Sequence, residues 1–445
     1  MISSRSRTLP RLLPLVAISA GSALLAAACG APPGPSGWAG AQPVRIDGQN
    51  LILAAHRDRL YALEDDSSNA IWRFPARERD DYPLSEYARG LLLEALGEVD
   101  LPSDQRATVE ARMSDLHLSG STIDAAKQAV DATSADGDAR SRLKSRLDAA
   151  TRFERDAQSG LDAFYGDIGV SEDGRTAFVA DFSGAVFALD TLTGHAHWVA
   201  DVGDEIVGGV AVGGETIYLG TKGKDLLALD ANSGERRWSF RTDGEVWATP
   251  TLVGDTLYAT SFDGSVYALD LDGNERWEFR GADAGIGARP VIADGTVYVG
   301  SFDNKLYAID AATGAERWHF SAGNWFWANA VVDQGVVYAA SLDGKVYAVD
   351  AGSGELRWSF DAGAPVRSSP VLAGGGLVVA GRNGNVYKLD LGSGEPEVGP
   401  IEAGTRILAD LRTAGGDVYV KPTSRTLYII DAAGGLAATS IPLPD

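Results

Sequence analysis

Apolar and polar positions along most of this chain follow one another in short runs, not at helical spacing. Between Gly244 and Trp277 four such runs, Val246 to Val253, Thr256 to Thr260, Ser265 to Asp270 and Glu275 to Phe279, are rich in β-branched and aromatic residues and are parted by Gly and Asp turn signals. They predict four short strands in one antiparallel sheet. The pattern then recurs, because the acid that closes each Tyr-Ala-Leu-Asp-like element falls at Asp190, Asp230, Asp270, Asp310, Asp350 and Asp390, 40 residues apart each time. A looser copy ends at Asp431 and an upstream one at Glu64. A fixed period of this size means stacked copies of one supersecondary unit. Eight sheets set radially cover both faces of each other, so the expected fold is all-β: an eight-bladed β-propeller of four-stranded antiparallel blades.

Details of the repeat suit that geometry. The run expected to line the axis carries small residues and a proline, as in Ala248-Thr249-Pro250, Ala288-Arg289-Pro290 and Ser368-Ser369-Pro370. Proline is tolerated on an edge strand, where one side of the backbone is unpaired. Asp263-Gly264, Asp343-Gly344 and Asn383-Gly384 read as two-residue hairpins with positive φ angles. On the outer run a tryptophan recurs at Trp72, Trp198, Trp238, Trp277, Trp318 and Trp358, where a flat ring can bury against the next blade while its N–H finds a carbonyl.

The stretch Ala188 to Trp198 fits A-x-D-x-x-T-G-x-x-x-W, as does Ala308 to Trp318; Ala228 to Trp238 and Ala348 to Trp358 match with Ser for Thr. This resembles the tryptophan-docking motif of the pyrroloquinoline-quinone (PQQ)-type propeller repeat family, across residues 43–78 and 161–445. The resemblance implies one of two functions. PQQ-dependent alcohol and glucose dehydrogenases share the repeat, and so do non-enzymatic BamB-type lipoproteins that act as scaffolds in outer-membrane protein assembly. The motif secures a fold and does not choose between them.

In chain order, residues 1–28 read as a lipoprotein signal peptide: Arg5, Arg7 and Arg11 precede an apolar run broken by Pro14 and Gly21. Leu25-Ala26-Ala27-Ala28-Cys29-Gly30 resembles a lipobox, and Cys29 is the only cysteine in the chain. Lipid attachment at Cys29 explains an odd thiol in an exported protein; cleavage nearby that leaves a free thiol is the alternative. Residues 29–42 form a Pro/Gly tether and 43–78 the first blade. Residues 79–160 break the period and carry apolar positions at helical spacing, at Leu84, Tyr87, Leu91, Leu92, Ala95 and Leu96 and again at Leu143, Leu147, Ala150 and Phe153. Ser103 and Ser121 are candidate N-caps. A small α-helical insertion between blades 1 and 2 is expected, either a partner-docking device or a cap over one face. Blades 2–8 then fill 161–445. Net charge of −22 argues against nucleic acid or bare anionic lipid as partner, so contact with a membrane is expected through the lipid anchor only.

Candidate chemistry concentrates near the axis. Period-two alternation puts the positions one and three before the repeated proline on one strand face, which groups Trp247, Arg289, Trp327, Asn329 and Arg367, with Trp325 at the rim. Two readings stay open: a funnel that stacks an aromatic, anionic or sugar-like ligand and binds its oxygens with arginine, or side chains that plug a narrow axis. The dehydrogenase relatives carry a vicinal disulfide, which one cysteine cannot make, and a calcium ion that no spacing here specifies. No catalytic residue, metal site or cofactor is therefore expected, and PQQ and calcium enter only through the resemblance. His195 and His197 share one strand face, but two ligands without a third are a weak metal signal. The leading expectation is a non-catalytic, lipid-anchored envelope scaffold, monomeric within a larger complex and bound to other envelope proteins. It would sit on the outer face of the cell membrane or on the outer membrane. The alternative is a PQQ- or small-ligand-binding propeller, enzymatic or sensory.

Overall fold

The computed structural model describes residues 39–64 except 47, 70–74, parts of 92–147, and 162–443 except 434–436. The signal peptide, Cys29, most of the tether, and Leu84, Tyr87, Leu91, Ala95, Ala150 and Phe153 lie outside the described residues. Eight separate four-stranded sheets are present, each a meander whose strands pair antiparallel in sequence order. Blade 1 opens at Ala41–Ile46, two residues inside the expected tether, and closes at Ala70–Phe74; blade 8 closes at Ala437–Pro442.

The middle strands of a blade are covered on both faces, and their sequences are accordingly continuous apolar runs: Thr256–Thr260 and Val266–Leu269 are buried at every position. Neighbouring blades share cores, as where Tyr218, Leu226 and Ala228 of blade 3 meet Leu257, Ala259 and Leu269 of blade 4.

The outer strands supply the fastening. Indole Nε1 atoms of Trp72, Trp198, Trp238, Trp277, Trp318 and Trp358 donate to carbonyls of Thr191, Ala231, Leu271, Ala311, Ala351 and Leu391, each in the following blade, at 2.8–3.0 Å. Beneath each ring lies the glycine of the next blade's turn. A Cβ on Gly194 would come within 2.6 Å of Trp72, and one on Gly394 within 2.4 Å of Trp358. The closing acid builds that turn: Asp190 Oδ1 accepts from Leu192 N, Thr193 N and Thr193 Oγ1 at 2.8–3.0 Å. Asp, Thr and Gly of the repeat thus shape a seat, and the tryptophan of the preceding blade fills it.

Two local readings need correction. The hairpins at Gly264, Gly344 and Gly384 are not two-residue turns. Only the glycine has positive φ (88°, 92° and 89°), and Ser261 N bonds Ser265 O across a longer loop. A three-residue loop with glycine in the left-handed position fits this, and the aspartate serves by accepting Ser265 N at 2.8 Å. The inner strand of blade 4 is also shorter than expected, Thr251–Val253 and not Val246 to Val253. Pro250, Pro290 and Pro370 stand just ahead of their strands, so their missing N–H removes no ladder bond.

The insertion carries helices α1 (Ser103–Ser114) and α2 (Ser121–Asp131) and a core of its own, with Leu92, Leu96, Val109, Met113, Val130 and Leu143 buried together. Arg106 ties its first segment to α1 by donating to Leu96 O and Val99 O at 2.9 and 2.7 Å.

The ring closes without a shared sheet, because the last outer strand comes from the C-terminal segment alone. Blade 7 has Val398 in place of the tryptophan, so the last two seams lack the indole lock. At the seam between blades 8 and 1, Ile52, Tyr61, Tyr419, Leu427 and Ile441 form an apolar cluster. Beside it Lys421, 5% exposed, donates to Pro422 O and Ser424 O and faces His56 Nδ1 at 3.4 Å. Burial, with the charge of Lys421, holds His56 down to about 4, and burial brings Lys421 down to about 7.

Trp198, 2% exposed, is expected to be the costliest lock to remove: Trp198→Ala should lose ~3–5 kcal/mol in urea unfolding, as for other buried aromatic truncations. Both seam bases are favoured neutral in the fold, so the unfolded chain takes up protons first and stability falls as pH falls. The Lys421 share is lost between about 10.5 and 7, and the His56 share between about 6.5 and 4. His56→Gln should therefore flatten the loss of stability between pH 6.5 and 4 by ~3 kcal/mol, measured by urea unfolding across that window.

Candidate functional site

The segments that lead into the inner strands cross the top of the axis, and each is hung on the blade before it. Val246 N bonds Thr221 O, Ile286 N bonds Ser261 O, Phe326 N bonds Ser301 O and Val366 N bonds Ser341 O, at 3.0–3.2 Å. The residue just ahead of each proline position then links its neighbours around the axis. Gly209 N donates to Thr249 Oγ1, Arg289 N to Asn329 Oδ1, Asn329 N to Ser369 Oγ and Ser369 N to Asp410 Oδ1, at 2.8–2.9 Å. Asn329 Nδ2 reaches Asp410 Oδ2 at 2.9 Å. Short polar side chains recur here because each satisfies a backbone N–H that no ladder can reach.

Trp247, Arg289, Trp327, Asn329 and Arg367 all line one axial mouth of about 90 Å³. Trp325 does not line it and packs on Phe302 at 5.0 Å between ring centres. The indoles are already engaged. Phe302 stacks on Trp327 at 5.1 Å and Arg367 lies over it at 4.5 Å, while Trp247 packs on Phe262 at 4.4 Å and its Nε1 donates to Glu245 at 2.6 Å. Arg367, 2% exposed, also donates to Leu408 O at 3.0 Å. Phe262 and Phe302 sit 5.4 Å apart, so an aromatic arc runs from Trp247 across blades 4 to 6 and ends on the blade 7 arginine.

Below the mouth, Asp167 pairs with Arg412 and lies 3.8 Å from Arg289 Nη1. The carboxylate of Asp167 holds the Arg412 guanidinium more firmly protonated than usual. A second cavity of about 240 Å³ lies on the far side, and Asp167, Thr249 and Arg289 line both. Asp167 and Arg412 are the members that sequence reasoning missed. Asp167 lies 82 residues before Thr249, two steps of the repeat and two residues more, and Ile168 stands where the marker proline would be. Among the described residues no group of three His, Cys, Asp or Glu is placed to hold a metal ion, and His197 lies 4.0 Å from Asp190 of its own blade.

The sequence profile of the family described as outer membrane protein assembly factor BamB matches residues 182–324 and 263–441, more than half of the chain. The chain belongs to the BamB family. The crystal structure of BamB from Moraxella catarrhalis superposes with a TM-score of 0.54 at 24% identity, covering 60% of this chain and 83% of that one. At that identity the match speaks for the propeller alone. A crystal structure of a computationally designed protein, Ika8, aligns with a TM-score of 0.46 at 14% identity, covering 62% of this chain and 96% of that one. No curated protein matches.

Asp410 is the acceptor on which three blades converge at the axis. Asp410→Ala should lose ~1–3 kcal/mol in urea unfolding, since it leaves a backbone and a side-chain donor unmet, and Asp410→Asn should lose less.

Proposed function

We propose that the protein is a non-catalytic envelope scaffold of the BamB type, anchored by a lipid on Cys29, that binds other proteins of outer-membrane assembly. The single observation that carries this reading is the match of the BamB family profile across blades 2 to 8. The engaged indoles of the mouth support it too, because rings already stacked on phenylalanine or capped by arginine are poorly placed to sandwich a planar cofactor. A rigid ring with a half-buried aromatic arc on one face suits protein contact, where large rings and arginine dominate binding energy. The helical insertion, with its own core, is a second surface available to a partner.

The test is to express the full chain in its envelope, fractionate the cells and capture the protein in mild detergent. The lipidated protein should sediment with membranes and bring down proteins of the outer-membrane β-barrel assembly machinery, and Cys29→Ser should move it to the soluble fraction. A chain that stays soluble with an unmodified Cys29, or that brings down no assembly protein, would overturn the reading.

A further inference from the structure

The axial channel runs against the charge of the rest of the protein. Its two cavities are lined by three guanidiniums, Arg289, Arg367 and Arg412, and two carboxylates, Asp167 and Asp410, in a chain of net charge −22. Most of these groups are matched. Arg412 pairs with Asp167, Arg367 lies on Trp327 and donates to Leu408 O, and Asp410 accepts from neutral donors on Ser369 and Asn329. Arg289 differs. Its Nε donates to Thr251 Oγ1 at 3.0 Å, but the nearest carboxylate oxygen, Asp167 Oδ2, is 3.8 Å away and belongs to a group that Arg412 already holds. Among the described residues its terminal nitrogens therefore have no hydrogen-bond acceptor, and the side chain, 39% exposed, opens on the channel.

A partly exposed guanidinium whose terminal nitrogens meet no protein acceptor can take an anion in place of water. We infer that the far-side cavity binds a small oxyanion, a carboxylate or a phosphate group, on Arg289. The planar fork of Arg289 takes two oxygens of such a group side by side. Arg412 and Gln42 line the same cavity, and Leu252 forms part of its wall. The room, about 240 Å³, is several times the ~30 Å³ share of one water, so the anion fits with part of its hydration. The site lies on the axis and stands or falls independently of the scaffold role.

Thermal unfolding of the full chain in sodium phosphate, sodium acetate and sodium chloride at matched ionic strength tests this. A saturable rise in Tm is expected with phosphate or acetate and not with chloride, following the usual linkage of ligand binding to stability. The anion that gives it identifies the group preferred. Arg289→Gln should abolish the rise, and Asp167→Asn should lower the half-saturating concentration at least threefold by removing the resident negative charge. An equal rise in chloride, or a full saturable rise in Arg289→Gln, overturns the proposal. Should Arg289→Gln not fold, phosphorus NMR of inorganic phosphate with the unaltered chain decides. Broadening reversed by acetate supports the site, and no broadening at all rules it out.

Discussion

One contact, an indole laid over a glycine of the next blade with its N–H on a nearby carbonyl, makes this chain a ring. It recurs at six seams, and it explains why aspartate, threonine or serine, glycine and tryptophan keep their spacing. The acid and hydroxyl fold the turn, glycine alone leaves room for the ring, and the tryptophan comes from the blade before. A Cβ at the glycine would overlap the indole, so each seam depends on two residue types in two blades at once. The insertion between blades 1 and 2 is tolerated because Trp72 still reaches Thr191 on its far side, 119 residues along the chain.

The same architecture explains where the ring is least fastened. Closure through separate sheets leaves the two seams flanking blade 8 without an indole lock, and one of them buries a lysine against a histidine. An ion so placed costs stability unless it sheds its proton. The locked seams and the titratable seam are thus two consequences of one repeat, present where the motif is complete and absent where it decays.

Much of this was legible in the sequence, because a 40-residue period with strand composition admits few folds and the tryptophan spacing names its own partner blade. The hairpin type was not legible: Asp263-Gly264 looks like a two-residue turn until the aspartate is seen accepting Ser265 N. The inner strands read too long because apolar alternation continues through Val246 to Pro250 although the chain has already left the ladder to cross the axis. For the candidate site, residues marked by a following proline or its equivalent position were found together, whereas Asp167 and Arg412 carried no such mark. What an arginine faces across a channel depends on blades far apart in sequence, 245 residues for Asp167 and Arg412, and a local pattern holds no record of it.

The account turns on the indole seats, and indole N–H exchange by NMR reads them one by one. The N–H groups of Trp72, Trp198, Trp238, Trp277, Trp318 and Trp358 should exchange with deuterium slowly, as a set, while that of Trp325, packed on Phe302, exchanges fast. Docking indoles that exchange as quickly as Trp325 would contradict a ring held by these locks.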